Sequence, residues 1–565
     1  MPQERLIALD TETTGLDPYR QKHRPFLCQV YDGKKVTITK DIQSLKWLLE
    51  NPAVAKVGAN IKFDIKMLRT IGINVQGQLY DVLIEAHLLD ENKYQHASLK
   101  GLAREVLGLE TKGEKSLETW FQENKILKAN RSYDKVPNSI MEEYAKEDVL
   151  FTWKLHTQFA PELKKQELWD LYINECKLIY VLADMEETGV LIDVKLAKSL
   201  EIDLTQKIGL IEKKVQKKYK DLNTRSPLQL GQIFKKEVPE QHLIKKEKTL
   251  SICTDNGALE SYKKYSKLAE TLVQLRNFYK LRDTYCIAFC NLVDENNMLH
   301  GHFNQCGTIT GRFSSSNPSL QVIPRTDDTK SPEAKQIRAL FKIRPGFTNV
   351  YLDYAQIEYR MYAEYAEDED LIKKINNGED VHLIQACRIY GKTKDQISKQ
   401  ERWNAKITNF SVLYGASQKR IMEELDLEPT QAMMVIRNFY KENPKIKHLK
   451  YQLEKVIGIR GYFFNKFGRR RRMHLNESYK AINSLLQGVS ADIIKVAMVK
   501  VAEILKGKKS HLELSVHDEL VIALADTEKD LLPKIKNAME DFGDKFKVKI
   551  ETDIKTSKTN WAEKK

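Results

Sequence analysis

The stretch Val350-Tyr351-Leu352-Asp353-Tyr354-Ala355-Gln356-Ile357-Glu358-Tyr359-Arg360 predicts an apolar strand that ends at an aspartate and leads into a helix. Further along, Leu514-Ser515-Val516-His517-Asp518-Glu519-Leu520-Val521-Ile522 predicts two strands joined by a tight acidic turn. Asp353 and Asp518 are 165 residues apart, which leaves room for an inserted subdomain, and they would meet if the three strands lay side by side. Two carboxylates beside substrate phosphates are a typical Mg²⁺ arrangement, so the pattern predicts a metal site at the end of a sheet.

A basic and aromatic stripe lies between these two segments. Arg402, Lys406, Phe410 and Tyr414 are spaced by four, so on a helix they share one broad face about 18 Å long. The cations suit a triphosphate, and the aromatic rings suit a sugar and a base. An aromatic stripe at this spacing is usually part of a core, but the preceding cations argue against burial.

Four acids near the N-terminus form a second candidate metal site. Asp10 and Glu12 close a strand-like run and point to one face, Asp64 follows in a helical context, and Asp148 lies four residues after Tyr144. An Asp-x-Glu pair alone is usually an exposed strand end. Together, the four carboxylates could bracket two divalent metals for phosphodiester hydrolysis, with Tyr144 orienting the attacking water.

Composition narrows the class of protein. The 565 residues include 92 Lys and Arg against 78 Asp and Glu, a net charge of +14 that favours a polyanionic partner. The hydrophobic fraction of 42% excludes wholesale disorder, and no apolar run is long enough for a membrane span. A strand-like run begins almost at Met1, so we expect no signal peptide. Seven scattered cysteines without a CxxC pair indicate a reduced, intracellular protein.

These motifs carry a resemblance to known families. Asp-x-Glu, Asn-x3-Asp and Tyr-x3-Asp resemble the proofreading 3′–5′ exonuclease domain of DNA polymerases, a pattern that RNase D-type nucleases share. The Arg402 helix, the Asp353 segment and His517-Asp518-Glu519 closely resemble the three signature motifs of family A, DNA polymerase I-like enzymes. Further segments match in the same order: 310–316, 320–324, 380–382, 481–488 and 560–561.

The resemblance implies an α/β plus α+β fold, with an RNase H-like exonuclease domain followed by a right-hand polymerase domain. The expected divisions are the exonuclease domain at 1–165, the thumb and linking helices at 166–300, the first part of the palm at 301–359, the fingers at 360–480 and the second part of the palm at 481–565. We expect no separate 5′ nuclease domain. The implied protein is a cytoplasmic monomer, from a bacterial cell or a phage-infected host, that binds primed template DNA and deoxynucleoside triphosphates.

The resemblance also assigns roles to individual residues. Catalytic roles are implied for Asp353, Asp518, Glu519, Lys406, Arg402 and Tyr144. Nucleotide binding is implied for Arg402, Lys406, Phe410, Tyr414, Glu358, Gln356 and His382, with Glu358 excluding ribonucleotides. DNA binding is implied for Arg312, Gln321, Asn483, Gln487, His517, Arg469 and Arg470. The implied metal ligands are Asp353, Tyr354 and Asp518 in one site and Asp10, Glu12, Asp64 and Asp148 in the other, each site holding two Mg²⁺, for which Mn²⁺ could substitute.

The resemblance thus predicts template-directed DNA synthesis with 3′–5′ proofreading, in replication or repair. Two alternatives stay open at this point. The first is a nuclease whose C-terminal part only grips DNA, against which the intact Asp353, Asp518, Arg402 and Lys406 argue. The second is a non-enzymatic DNA-binding protein, which leaves the two sets of acids unexplained. The arginine run at 469–472 is either a phosphate clamp or a solvated loop.

Overall fold

The structure is a computed structural model that describes residues 5–246, 249–324, 332–413, 418–425 and 427–565. The chain divides into two compact units. The first comprises Met1–Thr188, His302–Ser316 and Gly346–Thr556, and the second comprises Gly189–Gly301, Asn317–Pro345 and Ser557–Lys565. Within the described ranges, every helix is too short or too polar to cross a membrane.

The N-terminal segment alternates short apolar strands with helices. Its strands are β1 (Arg5–Thr13), β2 (Pro25–Tyr31), β3 (Val36–Thr39), β4 (Val54–Gly58) and β5 (Leu79–Asp81). Its helices are α1 (Lys46–Leu49), α2 (Ile61–Arg69), α3 (Val82–Leu89), α4 (Leu99–Leu107), α5 (Lys112–Glu123), α6 (Asn138–Lys165) and α7 (Trp169–Thr188).

These strands form one sheet with β1 at its centre, in the order β3-β2-β1-β4-β5. β1 pairs antiparallel with β2 and parallel with β4, and its residues Ile7, Ala8 and Leu9 are completely buried. The hydrophobic core around this sheet includes Leu171 and Tyr172 of α7. The core therefore continues past residue 165, the expected end of the first domain, because α7 supplies part of its cover.

The middle segment is mainly helical. It contains β6 (Val190–Leu191), α8 (Val194–Lys218), α9 (Pro227–Glu237), α10 (Asn256–Tyr262), α11 (Lys267–Tyr279), a π-helical stretch (Lys280–Ile287), α12 (Ala288–Leu292), β7 (Met298–Leu299), β8 (His302–Asn304) and β9 (Ser314–Ser316). The charge-rich helices predicted here are present. α8 buries Leu200, Leu204 and Ile208 at helical spacing and exposes most of its lysines, which is the pattern of an amphipathic helix.

The C-terminal segment inserts helices between the strands of a second sheet. It contains α13 (Pro332–Ala339), β10 (Phe347–Tyr354), α14 (Ile357–Tyr365), α15 (Glu369–Asn376), α16 (Val381–Tyr390), α17 (Lys399–Leu413), α18 (Gln418–Leu425), α19 (Pro429–Glu442), α20 (Pro444–Arg460), β11 (Tyr462–Phe464), β12 (Arg470–Arg472), α21 (Ala481–Leu505), β13 (His511–Val516), β14 (Glu519–Ala525), α22 (Leu532–Glu540) and β15 (Thr552–Ser557).

The second sheet has the strand order β13-β14-β10-β15. β10 and β14 are antiparallel, and their register places Asp353 opposite Glu519. β13 and β14 are the two strands predicted on either side of the acidic turn, and β14 is buried along its whole length. The sheet therefore brings the two distant acidic segments of the sequence to one edge.

Two buried carboxylates on α7 link distant parts of the first unit. Glu175 accepts hydrogen bonds from Arg469 and from Lys495 of α21, at 2.5 and 2.7 Å. Glu186 pairs with Lys62 and Lys66 of α2, both at 2.5 Å. Each glutamate thus pairs with two buried cations, so its negative charge is compensated where water is excluded.

Candidate active sites

Three acids from the N-terminal sheet and α6 meet in one cluster. Asp10 and Glu12 on β1 and Asp148 on α6 each offer a carboxylate oxygen, and these oxygens lie within 4.8 Å of one another. Asp10 and Glu12 share a face because side chains two apart on a strand point the same way. Oxygen donors at this spacing fit a hard divalent cation, as the sequence predicted.

The fourth predicted acid, Asp64, lies beside the cluster on α2. Its Oδ1 accepts hydrogen bonds from the Thr11 amide at 3.0 Å and the Thr11 hydroxyl at 2.7 Å. Thr11 lies between Asp10 and Glu12 in β1, so α2 is attached directly to the strand that carries them. All four acids predicted from the sequence are therefore close together.

The cluster is buried enough to disfavour ionised acids. Burial raises the pKa of Asp10 to about 6, and burial together with the charge of Asp10 raises the pKa of Glu12 to about 8. Burial and Asp10 also raise the pKa of Asp64. Carboxylates that repel one another in a low-dielectric site need a compensating cation, so the donor set fits bound metal.

Two neighbours of this cluster were not predicted from the sequence. Lys100, on α4, forms an ion pair with Asp148, and its Nζ lies 4.1 Å from the centre of the Tyr144 ring. Gln29 donates hydrogen bonds to Asp10 and, at 3.2 Å, to Glu12. The feature that could have identified Gln29 is the register of β1 and β2, which places Gln29 opposite Asp10. No motif in the sequence singles out Lys100.

The second sheet assembles the other pair of acids. Asp353 lies near the end of β10, and Asp518 lies in the turn between β13 and β14. The Tyr354 amide donates to the Asp518 carbonyl at 3.1 Å, so the backbone next to Asp353 contacts the turn directly. Asp353 is exposed, Asp518 is half-buried and Glu519 is buried. The predicted meeting of the two segments at one sheet edge is therefore present.

Tyr354 and His517 behave differently from the acids around them. The Tyr354 hydroxyl is buried and donates to the Met539 carbonyl at 2.8 Å. This corrects the expectation of a metal ligand as far as the side chain is concerned, and leaves only the main-chain carbonyl of Tyr354 as a candidate. His517 is exposed with a φ of +55°, because the two-residue turn requires left-handed backbone at that position.

Glu358 forms an ion pair with Arg312, a residue that was expected to bind DNA. Glu358 lies in the first turn of α14 and is buried. Gln356 precedes it, exposed, with a φ of +53°. Arg312 therefore positions Glu358 in this structure, and its contact with DNA stays a prediction.

Helix α17 carries the two predicted cations. Arg402 pairs with Asp380, Nε to Oδ2 at 2.8 Å, and Asp380 also caps the start of α16. Lys406 lies 5.6 Å from the centre of the exposed Trp403 ring. Burial, and then the charge of Lys406, lower the pKa of the buried His382 to about 4, so this imidazole is neutral at physiological pH. The Phe410 side chain and the whole of Tyr414 lie outside the described residues.

The predicted DNA ligands fall into two groups. Asn483 and Gln487 are half-buried and one turn apart on α21, and the buried Oδ1 of Asn483 has no hydrogen-bond partner among the described residues. Gln321 is half-buried. Arg470 donates to Gln166 and is half-buried. These positions stay predictions for DNA contact.

Arg469 was expected to contact DNA, and the structure corrects this. Its side chain is 7% exposed, and its Nε lies 3.0 Å from both carboxylate oxygens of Asp492. Glu175 takes a second N–H. Because buried carboxylates occupy its donors, Arg469 is part of the interior, and the arginine run is neither wholly a clamp nor wholly a solvated loop.

Two family models match separate parts of the chain. The family model for DNA polymerase family A matches residues 194–563, and a 3′–5′ exonuclease model matches residues 2–164. DNA polymerase I of Borreliella burgdorferi is 30% identical over 594 residues, covering 100% of this chain and 63% of the relative. DNA polymerase I of Chloroflexus aurantiacus is 32% identical, covering 91% of this chain and 57% of the relative. The chain thus spans about 60% of the length of these two relatives.

A solved structure shares the fold. The POL domain of Pol1 from M. smegmatis, in complex with DNA primer-template and dNTP, superimposes with a TM-score of 0.84. The match covers 98% of this chain and 95% of that chain at 22% sequence identity. At this identity the likeness establishes the fold alone and not the reaction.

Proposed function

The chain belongs to DNA polymerase family A, and from that premise we propose that it extends a DNA primer along a template and removes nucleotides from the 3′ end. The observation that carries the proposal is the presence of two separate acid sites in one chain. One follows the exonuclease pattern at Asp10, Glu12, Asp64 and Asp148, and the other joins Asp353 to the Asp518 turn.

For synthesis, Asp353 and Asp518 would hold divalent metal at the sheet edge. Two bound Mg²⁺ ions would supply activation of the primer 3′-hydroxyl and stabilisation of the departing pyrophosphate, and Mn²⁺ could substitute. Arg402 and Lys406 carry positive charge to the triphosphate, since both lie on one face of α17. The buried Glu358 lines the sugar side and is positioned by Arg312.

For degradation, Asp10, Glu12, Asp64 and Asp148 would hold the metal, and Tyr144 would orient the attacking water. Lys100 connects two residues of this site, because its ammonium group pairs with Asp148 and lies over the face of the Tyr144 ring. We propose that Lys100 acts as a positioning residue, which keeps the α6 carboxylate turned toward β1.

Partners and divisions follow from the same proposal. We propose that the protein binds primed template DNA and deoxynucleoside triphosphates inside the cell as a monomer, using the exonuclease, thumb, palm and fingers divisions given by the sequence. The net charge of +14 and seven free thiols support this setting.

Extension of a primer with a mismatched 3′ end tests both activities in one reaction. Asp353→Ala should abolish extension and leave degradation of single strands, and the double change Asp10→Ala with Glu12→Ala should do the reverse. A nuclease that only grips DNA predicts no extension by the unchanged protein. If either set of changes removed both activities from a folded protein, the assignment of two sites would be wrong.

A further inference from the structure

A ladder of arginine and aromatic side chains lies at the end of α20 and on the β11–β12 hairpin that follows it, in the first unit. The guanidinium of Arg460 lies 4.9 Å from the Tyr462 ring centre and 5.4 Å from that of Phe464. The guanidinium of Arg470 lies 4.7 and 5.2 Å from the same two ring centres. The rings themselves meet edge to face with centres 5.4 Å apart. We refer to these four residues as the hairpin platform.

The arginines of this region divide into two kinds. Arg469, Arg471 and Arg472 form ion pairs with buried carboxylates of Glu175, Asp492 and Glu91. Arg460 and Arg470 form no ion pair within the part of the chain that the structure describes. The paired arginines therefore fix the hairpin in place, and the platform arginines keep their charge available.

The positive charge of the platform is only partly compensated. Burial lowers the pKa of Arg470, and the charges of Arg472 and Arg460 lower it further. Ile459, the residue before Arg460, is 75% exposed, and Leu475 is 59% exposed. Phe464 itself is 38% exposed although it is a large hydrophobic residue. Cations, planar rings and exposed apolar area thus occur together on one small surface.

We propose that the hairpin platform binds unpaired DNA bases by stacking, an inference that rests on the proposed function for its choice of nucleic acid. Every base presents a π face, and both aromatic rings and guanidinium planes stack on bases without sequence preference. A paired duplex already stacks its bases on one another, so the platform fits single-stranded rather than double-stranded DNA. The unpaired template ahead of the primer and a displaced strand are the two sources of this ligand.

Binding of a single-stranded oligonucleotide to the full chain, followed by fluorescence anisotropy in EDTA, tests the platform without turnover. Phe464→Leu removes a stacking face, and we expect affinity about fivefold or more weaker. Phe464→Tyr keeps the ring and should keep the affinity. Trp47→Leu is the matched control, because Trp47 is 63% exposed and has Arg5 at 6.0 Å from its ring centre.

Salt dependence separates stacking from charge. Arg460→Gln should lower the slope of log affinity against log salt by about 0.7, the contribution of one phosphate contact on a single strand. Phe464→Leu should weaken binding and leave that slope unchanged. Equal urea unfolding midpoints for each variant and the unchanged protein show that the hairpin is intact.

Two further DNAs identify the source of the strand. One is a primed template with a long unpaired template, and the other carries a displaced flap ahead of a single unpaired template nucleotide. Loss of affinity for the first assigns the template, and loss for the second assigns the displaced strand. The proposal would be overturned if Phe464→Leu bound all these DNAs as tightly as the unchanged protein, or if Trp47→Leu lost as much affinity as Phe464→Leu. The hairpin platform would then be assigned to binding of a protein instead of DNA.

This result is independent of the catalytic assignment. Phe464→Leu should extend a primer normally when only one template nucleotide is unpaired, because the acid sites are untouched. Failure of extension by the unchanged protein would instead count against the proposed function and leave the binding comparison to decide the platform.

Discussion

Replacing Arg469 with methionine separates an interior role from a DNA-binding role. Methionine keeps the length and apolar stem of the side chain and removes the guanidinium. Asp492 would lose its paired N–H donors, at 2.6 and 3.0 Å, and Glu175 would lose one at 2.5 Å. Both carboxylates would stay in the interior, since their side chains are 1% and 2% exposed.

The expected loss of stability depends on the hydrogen bonds that Asp492 and Glu175 would keep. Removing one partner of a buried ion pair costs about 3 to 5 kcal/mol. Asn465 still donates to Asp492 at 2.6 Å, and Lys495 still donates to Glu175 at 2.7 Å. We therefore expect Arg469→Met to lower the free energy of unfolding by about 3 kcal/mol, at the lower end of that range.

Urea unfolding and a salt titration of DNA binding measure the two roles. Arg469→Met should lower the urea midpoint with an unchanged m value, and should leave the salt slope for DNA unchanged. Arg470→Gln is the comparison, since its side chain has no carboxylate partner among the described residues, and it should alter the slope with little effect on the midpoint. If Arg469→Met kept its stability and lowered the duplex salt slope by about 0.9, Arg469 would be a phosphate ligand and the buried-ion account would be refuted.

Three other changes test separate features. Lys100→Met should lower single-strand degradation about tenfold or more and leave extension intact, because Asp148 loses its positioning partner; equal loss of both activities would contradict this. Gly311→Ala should destabilise the fold more than Gly507→Ala. Both glycines have a positive φ, but only at Gly311 would a Cβ lie 2.7 Å from the guanidinium carbon of Arg469. Equal urea midpoints for the two variants would disprove this clash. Burial lowers the pKa of His87 to about 4, so as the pH falls below 6.5 the unfolded chain binds a proton at this residue before the folded chain does. The free energy of unfolding should therefore fall by about 2 kcal/mol by pH 5. This fall should be smaller in His87→Gln, and urea midpoints measured at pH 5 and above pH 6.5 would show it.

The acid sites were predictable because their signals are local. Each strand places its acid at an end, and side chains two apart on a strand or four apart on a helix share a face. Asp10, Glu12, Asp148 and the Asp353 segment could therefore be proposed from local spacing, and the resemblance to known families then joined them into two sites. The strands on both sides of the Asp518 turn were predictable for the same reason, since a tight turn separates two apolar runs.

Partners that depend on long-range packing were not predictable. Arg469 sits in a run of four arginines, and only its contacts with residues from α7 and α21 distinguish it from Arg470. Lys100 is an ordinary helix lysine until α4 packs against α6. The contribution of α7 to the N-terminal core was not predictable for the same reason, because α7 is separated from the sheet in sequence and is joined to it by aromatic contacts such as Tyr80 with Tyr172.

The two glutamates of α7 have a consequence for dissection of the enzyme. A fragment cut near residue 165 would keep Lys62 and Lys66 but discard Glu186, the carboxylate with which both ammonium groups pair. A fragment beginning after Thr188 would likewise discard Glu175, the carboxylate that pairs with Lys495, and would leave Arg469 with Asp492 alone. Either cut removes a buried counterion, so chimeras between relatives should exchange α7 together with its cationic counterparts.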